Sequence, residues 1–205
     1  MTFSCTQASI GVQDLLSVYT AGSLGSPSTG ANSSTTVLPS AILEARLGEI
    51  VRGSDPETPT GNAVSGGGGE FIFLAIPTST ATTKGLLYYW KGDYTIVVLP
   101  TSLATTTTSG SPLAACIVAA SSNATSVQYA WFQIQGRCQL LKVSTISINA
   151  NVPLYASSTT AGKVQASAVT LRAIIGIRSA NTATAVTGAS VLYAYLNRPS
   201  MTAGV

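Results

Sequence analysis

Seven carboxylates, three thiols and no imidazole set the limits on chemistry in this 205-residue chain. Without histidine, every Ser-His or Cys-His nucleophile pair is excluded, and so is a histidine-containing metal site. Glu44, Glu49, Asp55 and Glu57 crowd a Pro- and Gly-rich front segment, while Asp14, Glu70 and Asp93 stand alone. A glycosidase pair needs two carboxyls about 5–10 Å apart in an aromatic cleft. Glu70 and Asp93 would have to meet across a sheet to supply one, and nothing in their spacing favours it. Cys5, Cys116 and Cys138 form no CxxC pair, and their odd count argues against a disulfide framework or a zinc knuckle. They read as small buried thiols in a reducing compartment. Residues 159–163 end in Gly-Lys but lack the first glycine of a phosphate loop, and the four glycines at 66–69 precede a β-rich run instead of a helix. Both read as turns or loops. The expectation is no enzyme, no cofactor and no metal.

The elements that carry these groups are unusually poor in charge. Only 8% of residues are charged, against about 25% in an ordinary soluble domain, while 45% are hydrophobic. A free monomer with so thin a charged shell is poorly soluble, so much of the surface is expected to be buried in a membrane or in a protein assembly. A spanning helix needs about 18–20 consecutive apolar residues, and the best uninterrupted run is Phe71 to Ile76. A membrane barrel would carry a leader with a basic start and a leucine-like run, which MTFSCTQAS does not offer. Assembly is the expected escape, with Ser and Thr, about a quarter of the chain, doing the polar work on exposed strands. The ten basic residues are scattered without a run or stripe. They read as solvated or interface charges, and no direct nucleic-acid contact is expected.

Three stretches organise the chain. Residues 1–39 read as a flexible N-terminal arm, with a Gly/Ser/Thr/Asn tract from Thr20 to Thr36 that buries too little to order itself. Within the arm, Ile10, Val12, Leu15, Leu16, Val18 and Tyr19 form an apolar hook whose periodicity fits a short strand or a helical turn and which docks either on a partner or on the chain's own core. Residues 40–199 read as the β-rich domain and 200–205 as a tail. Ser40 caps a brief helix that Gly48 ends, and the chain then leads through Glu49 to Arg52 into a loop. Residues 85–90 and 93–99 read as a hairpin closed by Lys91-Gly92, with glycine supplying a positive φ. Strands are expected at 70–76, 113–120, 127–135, 139–148, 153–156, 163–166, 171–178 and 190–196, with turns at Gly136 and Gly162. In the aromatic strand, Tyr129 and Trp131 share one face while Ala130 and Phe132 share the other, the pattern of a central strand covered on both sides. Trp131 is also a candidate subunit anchor. Many short strands and almost no amphipathic helix give an all-β fold, a single small β-sandwich or barrel-like domain with an extended arm.

Taken in order, Gly-Glu-Phe-Ile-Phe (69–73), Tyr-Ala-Trp-Phe-Gln-Ile-Gln-Gly (129–136), Asn-Val-Pro-Leu-Tyr-Ala (151–156) with Ala161-Gly162, Ile-Ile-Gly-Ile (174–177) and a last strand ending at Arg198-Pro199 resemble the small β-domain of tailed-phage capsid decoration proteins, also called cement or head-stabilising proteins. The resemblance covers roughly residues 47–199 and leaves out the arm. It implies a non-enzymatic virion protein, assembled in the host cytoplasm, that binds the outer surface of the capsid. The implied partners are the major capsid protein and further copies of itself, as a homotrimer. The candidate contacts with shell or subunit are Ile10, Val12, Leu15, Leu16 and Tyr19 of the arm, and Trp131. A tail-fibre or spike adhesin would show trimeric repeats, and none is visible. A jelly-roll coat protein would carry a basic arm, and this arm has no base.

Overall fold

Residues 128–142 form one long strand where a turn at Gly136 was expected. The computed structural model describes residues 4–5, 18–21, 35–38, 40–54, 68–101, 110–122, 125–167, 172–184 and 190–202. Its elements are β1 (Ser4–Cys5), β2 (Val18–Ala21), β3 (Thr35–Leu38), α1 (Ser40–Glu44), β4 (Ile50–Ser54), β5 (Gly68–Ile76), β6 (Leu87–Trp90), β7 (Ile96–Val98), β8 (Leu113–Cys116), β9 (Gln128–Lys142), β10 (Pro153–Ala156), β11 (Val164–Gln165), β12 (Ala173–Ser179) and β13 (Ser190–Met201). The fold is all-β, as expected. Among the described residues no helix is long and apolar enough to cross a membrane.

Strand β9 is shared by two halves of the fold. Its first half pairs along one edge with β5, from Ile76↔Gln128 to Gly69↔Gly136. Its other edge takes β2 at Tyr19↔Tyr129 and β8 at Cys116↔Phe132. Both faces of this half are covered. Phe73, Tyr129 and Trp131 pack with Tyr19 and with Leu43 of α1 on one side, and Ile72, Leu74 and Phe132 pack with Tyr88 and Ile96 on the other. This is the two-sided burial that the alternation of Tyr129 to Phe132 predicts.

The second half of β9 closes a barrel. It pairs with β13 from Asn197↔Gln135 to Ser190↔Lys142, β13 pairs with β12, β12 with β10, and β10 with β11. The circuit returns to β9 through the parallel contact Val164↔Lys142. Cys138, Leu140, Leu154, Val164, Ile177 and Leu192 fill the interior. Closure leaves these five strands without a free edge over the closed part, which removes a common route to aggregation.

The join between the halves is a bend at Gly136, where φ is +99°. Glycine adopts that backbone without a Cβ clash. The ladder shifts register opposite the bend, between Glu70 and Phe71. The buried Gln133 amide nitrogen donates to the Gln135 and Arg137 carbonyls, at 3.0 and 3.1 Å, so the bend is held from inside. A bulge thus stands where a turn was expected, and it re-aims one strand between two sheets.

Three other expectations are corrected, and one left open is decided. The β6–β7 hairpin exists, but Lys91 N donates to Thr95 O and Tyr94 N to Lys91 O, a three-residue loop with Tyr94 at φ +60° in the left-handed position. Gly92 does not have a positive φ. Residues 50–54 form β4 against β5, where no strand was expected and the loop was placed from Ser54 on. Within the arm, β2 pairs in parallel with β3 and antiparallel with β9, so part of this segment belongs to the domain's own sheet. The last strand runs to Met201, past the expected end at residue 196.

Candidate interaction surface

Among the described residues, Glu70, Asp93, Cys116 and Cys138 are engaged in structure. Glu70, its side chain 9% exposed, receives Arg198 Nη2 at 2.8 Å and Arg52 Nε at 3.3 Å. The Gln135 amide, oriented nitrogen first, donates to both carboxylate oxygens, at 3.2 and 2.9 Å. The Arg198 hydrogen bond, followed by the Arg198 and Arg52 charges, holds the Glu70 carboxyl below its usual range against the opposing effect of burial. Asp93 accepts from Thr95 N at 3.0 Å in the exposed hairpin loop, and this bond holds its carboxyl low. Ala75 N donates to Tyr94 O, so Asp93 lies beside the Ala75 end of β5, roughly 17 Å along the strand from Glu70. That separation is too wide for a glycosidase pair.

A lowered carboxyl contributes stability above its unfolded pKa, and that contribution disappears as pH falls through the folded value. Arg198→Ala is therefore expected to melt below wild type above pH 5 and to converge with it as Glu70 protonates below its ordinary value of 4.5. Thermal melts from pH 7 to pH 3 check this. An offset constant with pH would show that Arg198 acts through packing alone.

Both described thiols, Cys116 and Cys138, are free and buried. Burial pushes the Cys116 thiol up to about 12 and the Cys138 thiol higher. Neither presents a thiolate at neutral pH. Lys142 corrects the expectation of a solvated cation. It is 1% exposed, its Nζ donates to the Val143 and Ile146 carbonyls at 3.3 and 2.7 Å, and burial lowers its pKa. The Gly-Lys at 162–163 closes a turn in which Ser157 Oγ accepts from Thr159 N and Thr160 N. Among the described residues no three or more Cys, Asp or Glu side chains gather as a metal site would require.

What the barrel presents outward is an apolar face. Along β13 the inward residues Leu192, Ala194 and Leu196 alternate with Val191, Tyr193 and Tyr195. Tyr195 is 56% exposed and Val191 40%, and Ile175 on the neighbouring β12 is 60% exposed. Tyr195 lies opposite Arg178 in the ladder. The Arg178 guanidinium is fixed by Asn151, through Nε to Oδ1 at 3.0 Å and Nη2 to the carbonyl at 2.6 Å. Arg137 stands 4.6 Å over the Tyr193 ring, a cation–π contact. Between these strands lies an open groove of about 380 Å³, lined by Asn151, Ile174, Gly176, Arg178, Tyr195 and Asn197 among others. Gly176 is required there, because its φ is +78° and a Cβ would fall 2.4 Å from Asn197 O.

The candidate contacts read from sequence lie elsewhere. Tyr19 and Trp131, 1% and 0% exposed, are core residues packed around Phe73, so they present no contact surface in the folded chain. Ile10, Val12, Leu15 and Leu16 lie outside the described residues. Ile175, Val191 and Tyr195 were missed. The sequence signal was the doubly apolar alternation of residues 191–196, but such a pattern also describes a strand covered on both faces. The chain matches no family model, and no curated protein matches it.

Proposed function

We propose that the chain is a non-enzymatic cement protein of a tailed-phage head, bound to the outer surface of the capsid as a homotrimer and tying neighbouring capsomers together. The observation that carries this reading is the exposed apolar face at Ile175, Val191 and Tyr195 on an otherwise closed barrel, in a chain with only 8% charged residues. Such a face calls for a protein partner. The ordered motifs that resemble those of decoration proteins support the major capsid protein, together with further copies of this chain, as the partner class. The acids and thiols described above are committed to ion pairs, turn caps and the core, which supports a structural role.

A shell under internal pressure is held by many modest contacts made at once, and linking sites on one trimer raises their effective concentration. A hydroxyl-rich, weakly charged β-surface supplies such contacts without requiring contact with nucleic acid or membrane.

The test is reconstitution on DNA-filled phage heads that lack the chain. Purified protein is expected to bind them saturably and to raise the temperature at which DNA escapes. Absence of binding would overturn the proposal.

A further inference from the structure

We infer that the β12–β13 groove binds an acidic, apolar protein segment, which sets an aliphatic side chain in the groove and carboxylates on the arginines beside it. The inference gives the chemistry of the partner and rests on the cement reading only for placing that partner in a phage head. The groove exists because the barrel wall is interrupted there. Between Pro153↔Arg178 and Tyr155↔Ala173, one residue of β10 stands against four of β12. Between Ile175↔Ser200 and Ile177↔Leu196, Gly176 stands against three residues of β13. Both ladders of β12 open at the same place, and such bulges re-aim the side chains around them. The apolar lining comes from Pro153, Ile174, Ile177 and Leu196.

Charge selects the occupant. Arg137, Tyr195 and Arg178 are consecutive partners across β9, β13 and β12, so they form one outward row. The next outward row runs Arg52, Glu70, Gln135 and Asn197 across β4, β5, β9 and β13. Arg198 follows Asn197 and reaches back to Glu70 at 2.8 Å. Four of the chain's ten cations, scattered in sequence, therefore gather on one surface. Among the described residues Glu70 is the one carboxylate in these rows, and Arg52 and Arg198 already share it. Arg137 and Arg178 pair with no carboxylate among the described residues.

The Arg178 guanidinium is in place before a ligand arrives. Asn151 fixes its Nε and Nη2, and Asn151 N in turn donates to Ser179 O at 2.9 Å. Little side-chain freedom is then lost on binding. Arg137 and Arg178 stand two strand spacings apart, about 10 Å, and guanidiniums bind carboxylates through charge-assisted hydrogen bonds. The aliphatic lining, with Ile175 60% exposed beside it, calls for apolar side chains in the same ligand. A polypeptide supplies both, whereas a nucleic-acid backbone offers phosphate and sugar.

Fluorescence anisotropy with the full chain tests this, using a labelled peptide of three Glu-Glu-Leu-Leu repeats, in which each face of the extended chain alternates acid and leucine. A Gln-Gln-Leu-Leu peptide of equal length and an oligo(dT) of equal charge are the comparisons. Arg137→Gln and Arg178→Gln are each expected to weaken binding of the acidic peptide about tenfold, and Lys91→Gln, in the β6–β7 loop, to leave it unchanged. Thermal melts identify a variant that fails to fold. Arg178→Lys then replaces Arg178→Gln, keeping the charge without the planar fork, and is expected to weaken binding at least about threefold.

No binding of the acidic peptide, equal binding of the neutral one, indifference to both arginine variants, or tighter binding of oligo(dT) would overturn the inference. Binding that emerges only after Asp55→Asn with Glu57→Gln would also overturn it, because the chain's own acids would then hold the arginines. Affinity that falls as chain concentration rises would do the same, by assigning the face to a second copy. Phage heads separate the two readings. Heads that take up wild type and the Arg137→Gln, Arg178→Gln double variant equally would keep the cement reading and sink this one. Arginine-dependent peptide binding by a chain that heads do not take up would support this one and sink the cement reading.

Discussion

Phe73→Ala is expected to be the most damaging single substitution in the described core, lowering folding stability by about 3–5 kcal/mol. Phe73 is fully buried, and its ring meets Tyr19 edge-on at 5.7 Å, Trp131 at 5.0 Å and Tyr129 at 6.0 Å. It therefore ties β2, β5 and β9 together at one point. Ring pairs of this kind contribute about 0.5–1.5 kcal/mol each beyond the area they bury. The cavity left by alanine adds to that, because β-ladders on three sides resist collapse into the gap. Domains have only about 5–15 kcal/mol in total, so the variant would be left with a small margin. At about 2–4 °C per kcal/mol for a chain of this size, the melting temperature is expected to fall by roughly 10–15 °C. Val127→Ala, exposed just ahead of β9, is the matched control and is expected to leave it within about 2 °C. A Phe73→Ala melt equal to that of the control would show that the aromatic cluster does not anchor the sheet.

The second large effect is alkaline unfolding. Burial raises the thiols of Cys116 and Cys138 above their ordinary 9.0, to about 12 for Cys116, and burial followed by the Cys116 charge raises the Tyr88 hydroxyl from 10.0 to about 12. In each case the folded state disfavours the anion, so the unfolded chain gives up its proton first. The stability tied to these groups is intact below pH 9 and is lost as pH rises from 9 toward 12. By pH 11, Cys116 alone costs about 2–3 kcal/mol at 1.36 kcal/mol per unit, and Cys138 adds in the same direction. Lys142 acts the other way, since its lowered pKa makes its burial less costly as pH approaches 10.5. Two thiols and a phenol outweigh that one amine. Urea unfolding from pH 8 to pH 11 is expected to show a steep loss of stability in wild type. The Cys116→Ala, Cys138→Ala double variant is expected to start lower but follow a flatter curve. Parallel curves would mean that the thiols do not set the alkaline limit.

The parts of this fold legible in the sequence are those where local pattern and tertiary environment agree. Tyr129 to Phe132 alternate over two apolar faces, and both faces are covered. The short strand at 153–156 and the turn at Gly162 likewise follow from proline, alternation and glycine. Gly136 was misread because a glycine inside a strand signals a bulge as well as a turn, and only a partner on each edge, β5 and β13, distinguishes the two. The hairpin loop was misassigned because Lys91-Gly92 offers the easy positive φ, yet the left-handed position fell to Tyr94, whose ring packs over Gly48. β2 could not be placed from sequence, since its partner Tyr129 is far away along the chain. The outer face at Ile175, Val191 and Tyr195 was hidden for a similar reason. Exposure depends on which neighbour covers a residue, and apolar residues on both sides of a strand give no sign of which side stays open.

The reconstitution on DNA-filled heads tests the central claim most directly when it is read as copy number, by quantifying bound chain against coat protein after unbound protein is removed. Binding is expected to saturate at a fixed ratio, in multiples of three chains per attachment point, on the outside of the shell where added protease reaches it. Saturation at a few copies per particle, as for a fibre, or no binding at all would contradict it.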